Sequence, residues 1–203
     1  MIDTIIFDFG NIFINLDPKA TETSFAQLGL NNWSNDLVEL NHLYEFGKID
    51  EYKFITGIQK HIPNADLVAI RQAWNAQVAD FPLKRLEFLQ FIKAKYKLFL
   101  LSNADQTHID HFEHKEGISF SRDFYSCFEK TYFSFDIAMR KPDERVFQLI
   151  LNNHNIDPKT TLFIDDTPEN IEGAQKAGLK TWLLNPVKED VTQLFDFLET
   201  LDD

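Results

Sequence analysis

Residues 162–178, "LFIDDTPENIEGAQKAG", read as a strand that runs into a helix. Residues 161–164 are short, apolar and bounded by polar residues, the pattern of a strand buried on both faces. Thr167 can cap the helix that follows, with Pro168 at its first position and Gly178 just past its end. Asp165 and Asp166 stand at the junction. Two adjacent acids repel each other unless a cation joins them, and hard divalent ions such as Mg²⁺ take oxygen ligands of this kind and keep several waters. The plainer alternative makes one acid a helix cap and leaves the other solvated, but Thr167 already suits the cap.

Outward from this unit, helix and strand alternate. Toward the C-terminus, 181–184 reads as a strand and 188–200 as a closing helix. Toward the N-terminus the expected elements are a helix over 143–154, a strand over 129–134, a helix over 105–114, a strand over 97–101 and a helix over 83–95. The first strand is 4–9. Such alternation predicts an α/β fold: a Rossmann-like, mainly parallel sheet covered by helices on both faces. Between the first strand and the rest the period turns helical. Leu37, Leu40, Leu43 and Tyr44 share one face, closed by Gly47. Phe54, Ile55, Ile58 and Ile62 mark a second helix, stopped by Pro63. Leu67, Ile70, Ala73 and Trp74 mark a third, ending near Phe81-Pro82, and another covers 18–28. The expected organisation is a core of 1–16 with 81–203, interrupted by an all-helical insert at 17–80.

Open α/β sheets bind ligands beyond the carboxyl ends of their strands. Three more polar groups belong to that edge. Asp8 follows an apolar strand and is either a nucleophile toward phosphorus or a cap for the Gly10-Asn11 turn. Ser102 and Asn103 end another strand and could donate hydrogen bonds to phosphate oxygens, or simply cap the next helix. Lys141, restrained by Pro142, could neutralise a carboxylate and a phosphate together, or be an ordinary surface charge. Four such clusters meeting at one edge make a centre for a metal ion and a phosphoryl group.

The bulk numbers agree. With 203 residues, 44% of them hydrophobic and 20 of them Phe, the chain suits one domain with a modest insertion. A net charge of −12 argues against nucleic acid or an anionic membrane as the partner. Any phosphate site must therefore be made positive locally. Cys127, the single cysteine, allows no internal disulfide and fits a reducing compartment. Residues 1–16 do not read as a signal peptide and no stretch reaches the roughly 20 apolar residues of a membrane span, so a cytoplasmic setting is expected. His108, His111 and His114 in "THIDHFEHK" lie on one broad helix face; lacking a Cys or other confirming partner, they read as solvated rather than zinc-binding. Trp74-Asn75 could touch a ligand, although Trp74 also fits its helix's apolar face.

In "IIFDFGNIFINLD" (5–17), "LFLLSNAD" (98–105), "RKPDERVF" (140–147) and "LFIDDTPENIEGAQKAG" (162–178), the chain resembles the haloacid dehalogenase-like hydrolase superfamily, motif by motif and in order. "YEFGKIDEYKF" and "AWNAQV" in the insert resemble its bacterial sugar-phosphate phosphatases, those like α-glucose-1-phosphate phosphatase. The resemblance implies that Asp8 is the nucleophile and a Mg²⁺ ligand, with the Gly10 backbone carbonyl a second ligand. It makes Asp166, supported by Asp165, the remaining protein share of the coordination, and it has Ser102, Asn103 and Lys141 hold the phosphoryl group. Arg140 is a weaker candidate. The insert becomes a cap, the substrate a small-molecule phosphate ester, and the protein a monomer or homodimer.

One departure matters. Most phosphatases of the superfamily carry a second Asp, acting as general acid and base, where this chain has Gly10. Dehalogenases of the superfamily also lack it, but they need no metal and tend to lack the paired acids, so Asp165-Asp166 favours the phosphatase. Phosphate receiver domains use the same groups in another order. A catalytically weak phosphometabolite-binding protein is the remaining alternative.

Overall fold

The computed structural model of the chain describes residues 1–202. Five strands, β1 (Thr4–Phe7), β2 (Lys97–Ser102), β3 (Lys130–Phe133), β4 (Thr161–Asp165) and β5 (Lys180–Leu183), form one sheet in the order β3-β2-β1-β4-β5. Every pairing is parallel, with Ile6 opposite Phe99 on one side and Phe163 on the other. The chain steps from β1 through β2 to β3, then returns to the other side of β1 for β4. The strand order therefore reverses at β1, and its carboxyl end is where such sheets place a ligand crevice.

Side chains alternate between the two faces. Ile5, Phe7, Leu98, Leu100, Leu162 and Ile164 share a core with Leu86, Phe112, Phe124 and Leu194. Ile6, Phe99, Leu101 and Phe163 point the other way, onto Phe147, Ile150 and Ile171. The first face carries α5 (Leu83–Ile92), α6 (Gln106–Glu116), α7 (Ile118–Tyr125) and α11 (Leu194–Asp202); the second carries α9 (Glu144–His154) and α10 (Pro168–Lys176). Phenylalanines dominate the first core, where Phe124 packs within 5.1–6.0 Å, centroid to centroid, of Phe9, Phe13, Phe81, Phe112 and Phe128.

Between β1 and β2 lie α1 (Pro18–Gln27), α2 (Asn35–Glu45), α3 (Glu51–Gln59) and α4 (Leu67–Asn75). These helices bury their own cluster, including Phe25, Leu37, Tyr44, Phe54, Ile58, Ile70 and Trp74. Asp17, Asp50 and Asp66 each accept a backbone N–H at a helix start, which explains where three of the four begin. The outgoing and returning chains pair as they cross: Asp17 N–H donates to Gln77 O, Ala79 N–H to Asn15 O, and Asn15 N–H to Asp80 O.

The structure departs from the sequence reading in four places. Helix α4 stops at Asn75 because residues 77–80 pair with Asn15 and Asp17. Helix α7 was not expected; Gly117, at φ 89°, ends α6, and the chain starts a new helix that buries Ser121 and Phe124. The last helix begins at Leu194 rather than 188, because Asp190 and Gln193 form a capping box around a 3₁₀ turn. A short helix, α8 (Ser134–Ile137), follows β3. Among the described residues, no helix is long and apolar enough to cross a membrane.

Candidate active site

Asp8, Ser102 and Asp165 stand at or just past the ends of β1, β2 and β4, the three central strands. Asp8 is held in line by its backbone N–H, which donates to Ile164 O at 2.9 Å. Lys141, in the loop before α9, reaches under this edge, and its side chain is 1% exposed. Its Nζ donates to Asp8 Oδ1 at 2.6 Å and to Asp165 Oδ2 at 2.7 Å, over the face of Phe163. Lys141 is thus the inner tie of the site, not a surface charge. Asn103 fixes its backbone twice: Oδ1 accepts the Lys141 N–H and Nδ2 donates to the Lys141 carbonyl, both at 2.9 Å. The Asn103 amide is therefore engaged with the protein.

The two adjacent acids have different surroundings. Asp165 is fully buried and, besides Lys141, accepts the Thr167 N–H at 2.8 Å and the Asn170 amide at 3.0 and 3.1 Å. Thr167 starts α10, yet its hydroxyl makes no cap bond and instead donates to Asp166 Oδ1 at 3.2 Å. Asp165 thus takes over part of the cap duty that the sequence assigned to Thr167. Asp166 is half-buried and accepts from Asn11 Nδ2 at 2.7 Å. Asn11 sits in the left-handed region at φ 57° and accepts the Leu16 N–H through Oδ1.

Asp8, Asp165 and Asp166 each present an oxygen within 4.8 Å of the others. Three carboxylates share one ammonium, so the site is short of positive charge. Burial pushes the Asp8 carboxyl up to about 7, opposed by Lys141 and reinforced by Asp165. Burial disfavours the Lys141 ammonium too, but its two carboxylate partners outweigh this and raise its pKa. An all-oxygen donor set with a charge deficit fits a hard divalent cation. Asp166 has oxygen capacity to spare for it, whereas the oxygens of Asp165 are largely occupied.

The site opens into a cavity of about 580 Å³. Asp8, Gly10, Ser102, Asn103, Lys141 and Asp166 line its floor; Asn41, Glu45 and Trp74 come from the insert, with His108 and Arg140 beside them. Gly10 stands where most phosphatases of the resembled superfamily carry a second Asp. A Cβ there would come within 2.7 Å of Leu16 Cδ1, so Leu16 occupies part of that space.

His108 is not on a solvated face. Its Nδ1 lies 2.8 Å from Asp105 Oδ2 and its Nε2 lies 3.0 Å from Trp74 O, and its ring stacks on Trp74 at 4.9 Å. The reason is that α6 packs against α4, so the first histidine of the run is covered; His111 is half-buried and His114 exposed. Trp74 packs in the insert's core, as its helix face predicted, and also lines the cavity, while its indole donates to Asp105 at 3.1 Å. Sequence reasoning missed Asn170, Asn11 as a partner of Asp166, and Asn41, Glu45 and Asp105. Only Asn170 had a local signal, an amide one helical turn beyond a buried acid.

The family model described as haloacid dehalogenase-like hydrolase matches residues 2–178. The D-ribitol-5-phosphate phosphatase of Bacteroides thetaiotaomicron is 24% identical over 188 residues, spanning 90% of this chain and 91% of that protein. A solved haloacid dehalogenase-family enzyme from the same organism, in complex with magnesium, is 31% identical with a TM-score of 0.86, covering 96% of this chain and 98% of that one. The same enzyme with magnesium and inorganic phosphate gives 29% identity and a TM-score of 0.83, covering 96% and 100%. A 2-haloacid dehalogenase from Pseudomonas syringae shares the fold at 17% identity and a TM-score of 0.66, covering 99% of this chain and 100% of its own. Motifs, sheet order and family match agree, and the chain belongs to the haloacid dehalogenase-like hydrolases.

Proposed function

We propose that the protein is a Mg²⁺-dependent phosphomonoesterase acting on small phosphorylated metabolites, sugar and sugar-alcohol phosphates among them. The observation that carries this is the Lys141 ammonium between Asp8 and Asp165, with Asp166 alongside, at the floor of a cavity shared with the helical insert. The chemistry of one relative, a D-ribitol-5-phosphate phosphatase, supports the substrate class.

In this reading Asp8 attacks phosphorus through one carboxylate oxygen, the ester P–O bond breaks and the alkoxide departs to take a proton from solvent, leaving an aspartyl-phosphate. Water then attacks that phosphorus, inorganic phosphate leaves and the Asp8 carboxylate is restored. Lys141 neutralises Asp8 and a phosphate oxygen together; the Ser102 hydroxyl and the backbone N–H of Asn103 hold the others. Asp8, Asp166 and the Gly10 carbonyl hold the metal, with Asp165 orienting Lys141. When bound, the ion offsets repulsion between the carboxylate nucleophile and an anionic phosphate.

We assign 17–80 as a cap that closes over Asp8 and excludes water during transfer, and 1–16 with 81–203 as the hydrolase core. The acid pair and the divalent site favour this activity over dehalogenation. The setting is taken to be the cytoplasm, with the protein a monomer or homodimer and no nucleic-acid or membrane partner. Phosphate release from p-nitrophenyl phosphate and a pentitol phosphate, with Mg²⁺ and with excess chelator, tests the reading. Release that needs the metal supports it; full release in chelator, or none from any ester, refutes it.

A further inference from the structure

The roof of the cavity differs from its floor in having buried polar atoms without partners. Asn41 Nδ2 donates to Glu45 Oε1 at 3.2 Å, one turn along α2. Glu45 Oε2 lies 3.3 Å from Arg140 Nη1, close enough for charge pairing but off the direction of a hydrogen bond. Asn41 Oδ1, Glu45 Oε2 and Arg140 Nε are all buried without a hydrogen-bond partner among the described residues. Burying such atoms is costly unless something completes them. All three residues line the cavity that holds Asp8, and Arg140 immediately precedes Lys141.

Two of the three sit on α2, which is packed closely against α8 and α6. Gly47, just past α2 at φ 63°, abuts the Phe135 carbonyl so closely that a Cβ there would meet its oxygen at 2.1 Å. This pins the end of α2 against α8, the turn leading to Arg140. Tyr44 Oη, beside Glu45, accepts the Thr107 N–H at 3.1 Å and ties the same helix to α6.

We propose that Asn41, Glu45 and Arg140 form a hydroxyl-reading wall that selects phosphate esters with a neutral, polyhydroxylated organic part. The side chains keep part of their surface accessible, Arg140 31% and Glu45 18%, and amide, carboxylate and guanidinium groups suit hydroxyls, which both give and accept hydrogen bonds. The charges of the wall are paired, Glu45 with Arg140 and Asp105 with His108, so it offers no unbalanced cation to a second phosphate or a carboxylate. This inference rests on the phosphatase reading and adds to it the residues that choose the substrate.

The test compares kcat/KM with Mg²⁺ for a pentitol phosphate, pentyl phosphate, p-nitrophenyl phosphate and a pentose bisphosphate. In the unmodified enzyme the pentitol ester exceeds the pentyl ester by about 10²-fold, because a site built for hydroxyls is left unpaired by an alkyl chain. Asn41→Ala lowers the pentitol-to-aryl ratio about tenfold, mainly through KM. Glu45→Gln, which keeps the shape but frees the Arg140 charge, raises the bisphosphate-to-pentitol ratio about tenfold. Equal kcat/KM for pentitol and pentyl phosphate in the unmodified enzyme overturns the wall even if neither variant folds. So do unchanged ratios in both variants. Absence of p-nitrophenyl phosphate turnover would instead remove the phosphatase reading itself.

Discussion

The floor and the roof of the cavity are built on opposite principles. On the floor, Lys141 is bonded to two carboxylates, Asp165 is met by Lys141, Asn170 and the Thr167 N–H, and Asn103 clamps the Lys141 backbone. On the roof, Asn41, Glu45 and Arg140 make one hydrogen bond and one misaligned ion pair, leaving three buried atoms without a hydrogen bond. A reaction centre gains by being complete before substrate arrives, since its geometry then costs nothing to assemble. A recognition surface gains by being completed only by the correct substrate. The contrast predicts that floor substitutions act on catalysis and stability, and roof substitutions on selectivity.

The largest effect should come from the centre of the floor. Asp8→Asn removes the nucleophile and should lower kcat by about 10⁴-fold or more. The fold should survive, because the amide is similar in shape and removes a buried carboxylate from a crowded site. Lys141→Ala should also abolish turnover, but at a cost of about 3–5 kcal/mol in stability, since it leaves Asp8 and Asp165 buried without their counter-ion. Phosphate-release assays paired with thermal melts would separate the two. If Lys141→Ala melted like the unmodified protein, the floor would not be held by that ammonium.

Gly10 probes the border between the regions. A positioned general acid contributes about 10²–10⁴-fold, and its usual place holds Gly10 here. Aryl and anomeric phosphates, whose leaving oxygens depart more readily unprotonated, should therefore be hydrolysed well ahead of simple primary alkyl phosphates. Gly10→Asp alone must displace Leu16 Cδ1, so pairing it with Leu16→Ala gives the new carboxyl room. The double variant should narrow the gap between leaving groups rather than raise all rates equally. Similar rates for aryl and alkyl esters in the unmodified enzyme would mean that another group already delivers the proton.

The same contrast explains what could be read from the chain. The strand-end motifs are local: Asp8, Ser102, Lys141 and Asp165-Asp166 each follow or precede a recognisable apolar segment, and a parallel sheet delivers strand ends to one edge. The alternation of elements and the helical insert were legible for the same reason, as periodicity needs no knowledge of partners. Helix α7 was not, because Gly117 both ends α6 and starts α7, with no connecting loop to mark the break. The Asn103 clamp, the Asn170 bonds to Asp165, and the meeting of Glu45 with Arg140 depend on residues distant in sequence or on side-chain direction. Nothing in "THIDHFEHK" distinguishes a covered His108 from an exposed His114; the packing of α4 on α6 decides it.

Metal binding should report the protonation of the floor. Burial, with Asp165 adding to it, raises Asp8 to about 7, and a metal ligand must be deprotonated. Apparent Mg²⁺ affinity, measured by calorimetric titration, should be steady above that value and fall about tenfold per pH unit below it. An affinity that stayed flat down to about pH 5 would remove Asp8 from the ligand set.

The smallest effect lies where the helical insert meets the sheet and its helices, at His108. Asp105 Oδ2 faces Nδ1 and favours a proton there, whereas Nε2 lies 3.0 Å from both the Trp74 carbonyl, which favours a proton, and the Gln77 amide nitrogen, which opposes one. Burial opposes that charge, but Asp105, aided by the Trp74 carbonyl and Glu45, outweighs it and raises the His108 pKa above the ordinary histidine value. A raised histidine stabilises the fold fully below its unfolded pKa of about 6.5, and the contribution fades as pH rises through the higher folded value. His108→Asn should therefore be destabilising by about 1–2 kcal/mol in mildly acidic buffer. Its deficit against the unmodified protein should shrink in alkaline buffer, where the unmodified protein has lost the charge as well. Denaturant melts of both proteins on the two sides of neutrality measure that difference, and taking the difference cancels the opposing titration of Asp8. A deficit that stayed constant with pH would show that His108 joins the insert to α6 by packing on Trp74 alone, without the help of its charge.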